Sequence, residues 1–222
     1  MKKTLLLLLL AFGTLSVQAQ KLVALSFDDG PNTVTTPAML AKLYKHQVVA
    51  TFFIWGNMVT PESELMLKLE VQQGHEIGNH SFTHSHMTTL SADSIRKEID
   101  MTTRIIERVT NQKVTLFRPP YIDYDQKMFD NINLTFIAGH GCDDWVPEVT
   151  SEERTQKILS QVHDGSIILV HDFAGNTNTV EAMDMLIPAL KAQGYEFVTI
   201  SELFRRKGIT PQRNKIYTNV LE

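Results

Sequence analysis

Apolar residues recur along this chain with two different spacings, and stretches of the two kinds alternate. Short runs rich in Val, Ile, Leu and Phe predict strands over 22–27, 48–55, 76–79, 114–118, 134–138, 166–171 and 196–200. Between them, apolar residues at three- and four-residue spacing predict helices over 36–46, 61–73, 91–110, 125–131, 151–162 and 179–193. Strictly alternating strands and helices place the strands in a parallel sheet with the helices outside, because a parallel crossover needs a connection of helix length. About 200 residues make a single domain over 20–222 with a substantial core, and no internal repeat or low-complexity linker divides it.

The first nineteen residues follow a different logic. Lys2 and Lys3 form a basic start, Leu5 to Leu10 open an apolar stretch, and Val17-Gln18-Ala19 supplies small residues before a cut ahead of Gln20. This pattern predicts a secretory signal peptide over 1–19 and an exported chain, destined for the periplasm or cell surface of a bacterium. Gly13, Thr14 and Ser16 break the run before it reaches the roughly 18 apolar residues a membrane span requires. Loss of two lysines takes the formal net charge from −4 to −6, which disfavours nucleic acid and anionic membranes as partners and leaves a neutral or mildly cationic glycan. The single cysteine, Cys142, allows no internal disulfide, and reads as a packed small residue with a reactive thiol as the alternative. A monomer is expected.

The candidate chemistry sits in Ser26-Phe27-Asp28-Asp29-Gly30-Pro31 and His80-Ser81-Phe82-Thr83-His84. The first run ends a predicted strand with two carboxylates. Neighbours on an extended segment point to opposite sides, so Asp28 and Asp29 are expected to do different work, one ligating and the other taking a proton. On a helical turn, residues four apart share a face, so His80 and His84 could aim at one point, with a third ligand from elsewhere completing a catalytic first shell. A closed structural zinc site would draw on cysteines that this chain lacks. The plainer alternatives are an acidic pair in a solvated turn and two histidines that bind nothing.

Three further blocks extend the pattern: Phe117-Arg118-Pro119-Pro120-Tyr121, Asp143-Asp144-Trp145 and Leu169-Val170-His171-Asp172. With Ser26–Pro31 and Gly74–His84 they make five blocks in order. On these the stretch from Lys21 to about Leu203 resembles the polysaccharide deacetylase family, also called the NodB homology domain or carbohydrate esterase family 4. The resemblance implies an α/β fold, a distorted, partly open (β/α) barrel. It implies one divalent metal ion held by Asp29, His80 and His84, zinc foremost with cobalt or nickel as alternatives. It further implies Asp28 as general base oriented by Arg118, His171 as general acid backed by Asp144, and the Tyr121 amide as an oxyanion donor. Trp145, Leu169 and Pro120 would wall the acetyl pocket. The chemistry calls for these groups together: a divalent ion acidifies water and polarises the acetyl carbonyl, a nearby cation favours an ionised base, and amide cleavage needs a proton on the departing nitrogen.

Two positions depart from the family pattern. Gly141 stands where many relatives carry an aspartate, and Ile122 stands where a glycine usually follows the aromatic. The implied substrates are therefore broad: N-acetyl groups of peptidoglycan, chitin-like oligosaccharide or exopolysaccharide, O-acetyl esters such as those of xylan, or glycan binding without turnover. The N-acetyl deacetylase leads. Elsewhere, His46, His140 and His163 read as surface or packed histidines, His75 and His86 as structural or supporting neighbours of the metal block, and Trp55 as core or sugar-stacking. Arg205-Arg206-Lys207 complements the dipole at a helix end, and 208–222 carries no signal.

Overall fold

Among the described residues, eight parallel strands carry the fold: β1 (Lys21–Asp28), β2 (Thr51–Ile54), β3 (Glu76–Asn79), β4 (Leu116–Phe117), β5 (Thr135–Ile137), β6 (Ser166–His171), β7 (Tyr195–Phe197) and β8 (Ile216–Tyr217). The computed structural model describes residues 20–221, so the expected signal peptide lies outside the described residues. The strands pair in the order β6-β1-β2-β3-β4-β5-β8, and β7 joins the start of β1. The sheet curls far enough that single bridges, His140 to Ile168 and Ser166 to Asn219, return the far edge to β6. The result is the distorted, partly open (β/α) barrel that the family resemblance implied.

Helices α1 (Thr35–His46), α2 (Glu64–Gln72), α3 (Ala92–Thr110), α4 (Gln126–Asn131), α5 (Ser151–Gln161), α6 (Thr177–Ala192) and α7 (Ile200–Lys207) lie outside the sheet. Their starts are set locally. Thr150 and Glu153 form a reciprocal capping box at α5, while Ser91, Asp125 and Thr199 accept from backbone N–H groups at α3, α4 and α7. The Thr199 cap explains one difference from the sequence expectation: the strand predicted over 196–200 ends at Phe197, and Ile200 opens a helix. The tail that carried no signal supplies β8, paired with β5. Among the described residues no helix is long and apolar enough to cross a membrane.

Strand parity decides what faces the barrel interior. On β1, Val23, Leu25 and Phe27 pack outward with Met39 and Leu43 of α1 and Met183 and Ile187 of α6. Leu22 and Ala24 turn inward with Phe53, Leu116, Ile137, Ile167 and Tyr217. The inward parity of Leu22 and Ala24 continues to Ser26 and Asp28; that of Leu116 continues to Arg118, and that of Ile167 to Leu169 and His171. Polar groups thus take over the inner face at the C-terminal ends of β1 and β6 and just after β4, the end of the strands where barrel enzymes build their sites. Close packing there also demands a glycine: a Cβ on Gly139 would lie 2.7 Å from that of Leu169.

Candidate active site

Arg118 organises the inner face from below. Its side chain is fully buried, with the guanidinium 4.1 Å above the Phe53 ring. It donates to Asp28 Oδ1 at 2.6 Å, to Ser26 Oγ at 2.8 Å and to the Ala138 carbonyl at 2.8 Å. Ser26 in turn donates to the Ile168 carbonyl at 2.6 Å. Ser26 lies in the first sequence block, and the parity that runs from Leu22 through Ala24 is the sequence signal that places it on the inner face. Asp28 is held with Oδ2 toward the cleft, 3.8 Å from His80 Nε2.

Asp29 leaves the strand through a left-handed conformation, φ 74°, so the opposite-side expectation for adjacent extended residues does not apply and both carboxylates reach the cleft. The histidines also arrive differently from the helical turn considered above. They lie on a loop after β3, with Ser81 and His84 at φ 66° and 57°. Asn79 Oδ1 accepts from the Ser81 N–H and Ser81 Oγ from the His84 N–H, folding the loop so that a four-residue separation converges without a helix.

His80 Nδ1 bonds the Arg118 carbonyl at 2.7 Å, which turns Nε2 to the cleft. His80 Nε2 and His84 Nε2 lie 3.5 and 3.4 Å from Asp29 Oδ1, a buried oxygen without a hydrogen-bond donor among the described residues. One ligand atom from each of Asp29, His80 and His84 can be chosen within 4.8 Å of the others. The electrostatics also favour a cation. Burial would raise the Asp29 pKa, but the His80 nitrogen and the charges of His80, His171 and His84 outweigh it and hold it at about 2. Burial opposes a charge on His80, yet Asp28 and Asp29 raise its pKa. An orphaned buried oxygen flanked by two inward imidazole nitrogens, with one carboxylate and two histidines as donors, fits a divalent ion.

Across the cleft, His171 Nδ1 bonds Asp144 Oδ1 at 2.8 Å, which leaves Nε2 free to face the cavity. Asp144 Oδ2 accepts from the His171 N–H, Thr179 Oγ1 and Asn176 Nδ2 at 2.7, 2.9 and 3.2 Å. Burial opposes a charge on the ring, but the bond and charge of Asp144, with Asp28 and Asp29, raise the His171 pKa to about 9. The neighbouring Asp172 anchors the loop after Asp29. Its Oδ2 accepts from Thr36 and its carbonyl from Asn32 Nδ2, both at 2.6 Å, and burial lifts its pKa to about 7.

These groups surround one cavity of about 630 Å³, lined also by Pro119, Tyr121, Ile122, Gly139, Gly141, Trp145 and Leu169. Pro119, not Pro120, reaches the cleft: Pro120 begins a short 3₁₀ turn (Pro120–Ile122) and is buried behind it. Trp145 is exposed at the rim with its ring 5.8 Å from that of His171. The exposed Tyr121 ring stacks on His86 at 4.0 Å and meets the edge of His84 at 4.8 Å. Tyr121 and Ile122 are both left-handed, φ 59° and 54°, a conformation strained for a β-branched residue. A Cβ on Gly141 would have open room, its nearest neighbour 3.8 Å away.

The remaining sequence candidates fall elsewhere or behind the site. Trp55 donates Nε1–H to the Phe82 carbonyl and packs 5.0 Å from the His84 ring. His75 is buried beside Phe52, where desolvation pulls its pKa down to about 4. His140 bonds Asn219 at the barrel seam, and His46 pairs with Asp184 on the surface. Burial, helped by the Asp144 charge, pushes the Cys142 thiol up to about 12, so it is a packed residue and a poor nucleophile.

The comparisons with known proteins agree with this architecture. Residues 16–137 match the family model for polysaccharide deacetylase, and the chain belongs to the polysaccharide deacetylase family. It is 44% identical over 206 residues to the bifunctional xylanase/deacetylase of Pseudobutyrivibrio xylanivorans, covering 92% of this chain and 34% of that one. It is 36% identical over 191 residues to the peptidoglycan-N-acetylglucosamine deacetylase PgdA of Listeria monocytogenes, covering 86% and 40%. The chain thus spans between a third and two-fifths of the length of these curated relatives. Among solved structures, a family 4 acetyl xylan esterase from Clostridium thermocellum, in complex with a cobalt ion, superposes with a TM-score of 0.88 at 42% identity, covering 90% of this chain and 99% of that one.

Proposed function

We propose that the protein is an exported, divalent-metal-dependent deacetylase that hydrolyses N-acetyl groups of a glycan such as peptidoglycan, chitin-like oligosaccharide or exopolysaccharide. The observation that carries the reading is the meeting, around one cavity, of the Arg118–Asp28 pair, the Asp29, His80 and His84 donors and the Asp144–His171 pair. The metal, zinc by preference, would supply an acidified water and a polarised acetyl carbonyl. Asp28 takes the proton of the attacking water, held in place by Arg118. The Tyr121 N–H stabilises the oxyanion as the tetrahedral centre forms, a contribution of about 3 kcal/mol for one such donor. His171 Nε2 then passes its proton to the departing nitrogen as the C–N bond breaks, giving acetate and a free amine.

A second reading, an O-acetyl esterase acting on a polysaccharide such as xylan, draws support from the similarity to the acetyl xylan esterase and the xylanase/deacetylase. An ester uses the same groups and asks less of His171, because an alkoxide leaves more readily than an amide nitrogen.

Acetate release from a panel of N- and O-acetylated glycans, before chelation, after it and after zinc addition, tests both readings. Release that zinc restores and that Asp28→Asn lowers about 100-fold or more is expected, with the responding substrate separating amide from ester. Silence across the panel from protein carrying a full complement of metal would instead favour glycan binding without turnover. Export predicts a mature protein whose N-terminal sequencing begins at Gln20; an intact Met1 in the purified native protein would contradict it.

A further inference from the structure

The Asp144–His171 pair rests on a buried arginine that nothing in the five sequence blocks points to. Arg154, on the first turn of α5, is 3% exposed, and among the described residues its side-chain hydrogen bonds all go to neutral oxygens. One guanidinium nitrogen donates to Asn176 Oδ1 at 2.6 Å and to Thr179 Oγ1 at 2.7 Å. The other two groups donate to the Val149 and Val146 carbonyls at 3.0 and 3.1 Å.

A guanidinium can only donate. Thr179 Oγ1 therefore accepts from Arg154, and its one proton is left for Asp144 Oδ2. Asn176 likewise must turn its carbonyl oxygen to Arg154, which directs its NH₂ to Asp144 Oδ2 and to the His171 carbonyl at 2.9 Å. In this way a cation that does not touch Asp144 fixes the polarity of two of the three donors around Oδ2. The carboxylate is held with Oδ1 facing His171 Nδ1. The same residue clamps the loop that follows Trp145, through Val146 and Val149, so the proton donor and one wall of the cleft share a support.

We propose that Arg154 is a positioning residue for proton transfer to the leaving group, acting through Asn176 and Thr179 on Asp144 and thence on His171. The inference rests on the deacetylase reading in one respect, that His171 is the proton donor.

The test exploits leaving groups. Acetate release from the responding acetylated glycan needs a proton on a poor leaving group, whereas 4-nitrophenyl acetate expels a phenolate stable enough to leave without one. Arg154→Met should lower kcat on the glycan at least about tenfold more than on 4-nitrophenyl acetate, with the glycan KM little changed. Arg154→Lys, which keeps the charge and loses the fork, should fall between Met and wild type. Thr179→Val, nearly isosteric, removes one bridge while leaving the arginine in place, and should give the same selective loss even where Arg154→Met folds poorly. Equal losses on both substrates in the folded variants would reduce Arg154 to a structural brace and overturn the proposal. His171→Ala separates the two ideas. If it shows no dependence on leaving group, the proton-donor reading itself fails; if it does and the Arg154 and Thr179 variants do not, only the role of Arg154 is lost.

Discussion

Arg118→Met is expected to destabilise the fold by about 3–5 kcal/mol and to lower acetate release by about 100-fold or more. The reason is where the partner sits. Asp28 and Arg118 are both buried, 2.6 Å apart, and the Ser26 hydroxyl and Ala138 carbonyl also aim at the guanidinium. A methionine fills much of the volume over Phe53 but leaves a carboxylate and two oxygens without their donor. Urea denaturation and acetate release measure the two effects. A double variant, Arg118→Met with Asp28→Leu, removes both charges and should recover part of the stability while remaining inactive, since replacing a whole buried pair by apolar groups is far less harmful than orphaning one partner. A single variant as stable as wild type would refute this account of the inner face.

Asp144→Asn should be nearly as damaging to catalysis while changing stability in a pH-dependent way. The three donors around Oδ2 favour keeping the amide oxygen there, so the new NH₂ falls opposite His171 Nδ1. It must donate to that nitrogen, which drives the ring proton to Nε2 and leaves a neutral imidazole, a much weaker acid. A loss of about 100-fold or more in kcat on an amide substrate is expected. In chelator-treated wild type, His171 has a folded pKa of about 9 against an ordinary value of 6.5. A group raised on folding stabilises fully below its unfolded pKa and loses that contribution as pH climbs through the folded one. The wild type should therefore exceed Asp144→Asn by up to about 3 kcal/mol more near pH 6 than above pH 9. Parallel urea midpoints across that range would show that the pair contributes nothing through ionisation.

Much of the architecture was legible in the chain because period-2 and period-3.6 patterns alternate cleanly and because short blocks at strand ends carry the chemistry. Segment boundaries were less so. β2 and β4 are shorter than their apolar runs, and β8 lies in a polar tail whose pairing depends on β5, a partner about eighty residues away. At the site, the family resemblance brought Asp29, His80 and His84 into one group, but nothing in the sequence showed the left-handed turns at Asp29, Ser81 and His84 that make them converge. Arg154 was invisible because a lone arginine among charged helix residues looks like a surface residue until the helix docks. Pro120 was misplaced by one position, since only the turn itself decides which of two adjacent prolines faces the cleft.

The conformation of Ile122 bears on the shape of this cleft. Holding a β-branched residue at φ 54° stores on the order of 1 kcal/mol. A glycine would relieve that strain and, in the same step, clear apolar bulk from beside Asp29, His80 and His84. The side chain at this one position therefore sets two properties together, the width of the opening and the strain of the turn that borders it.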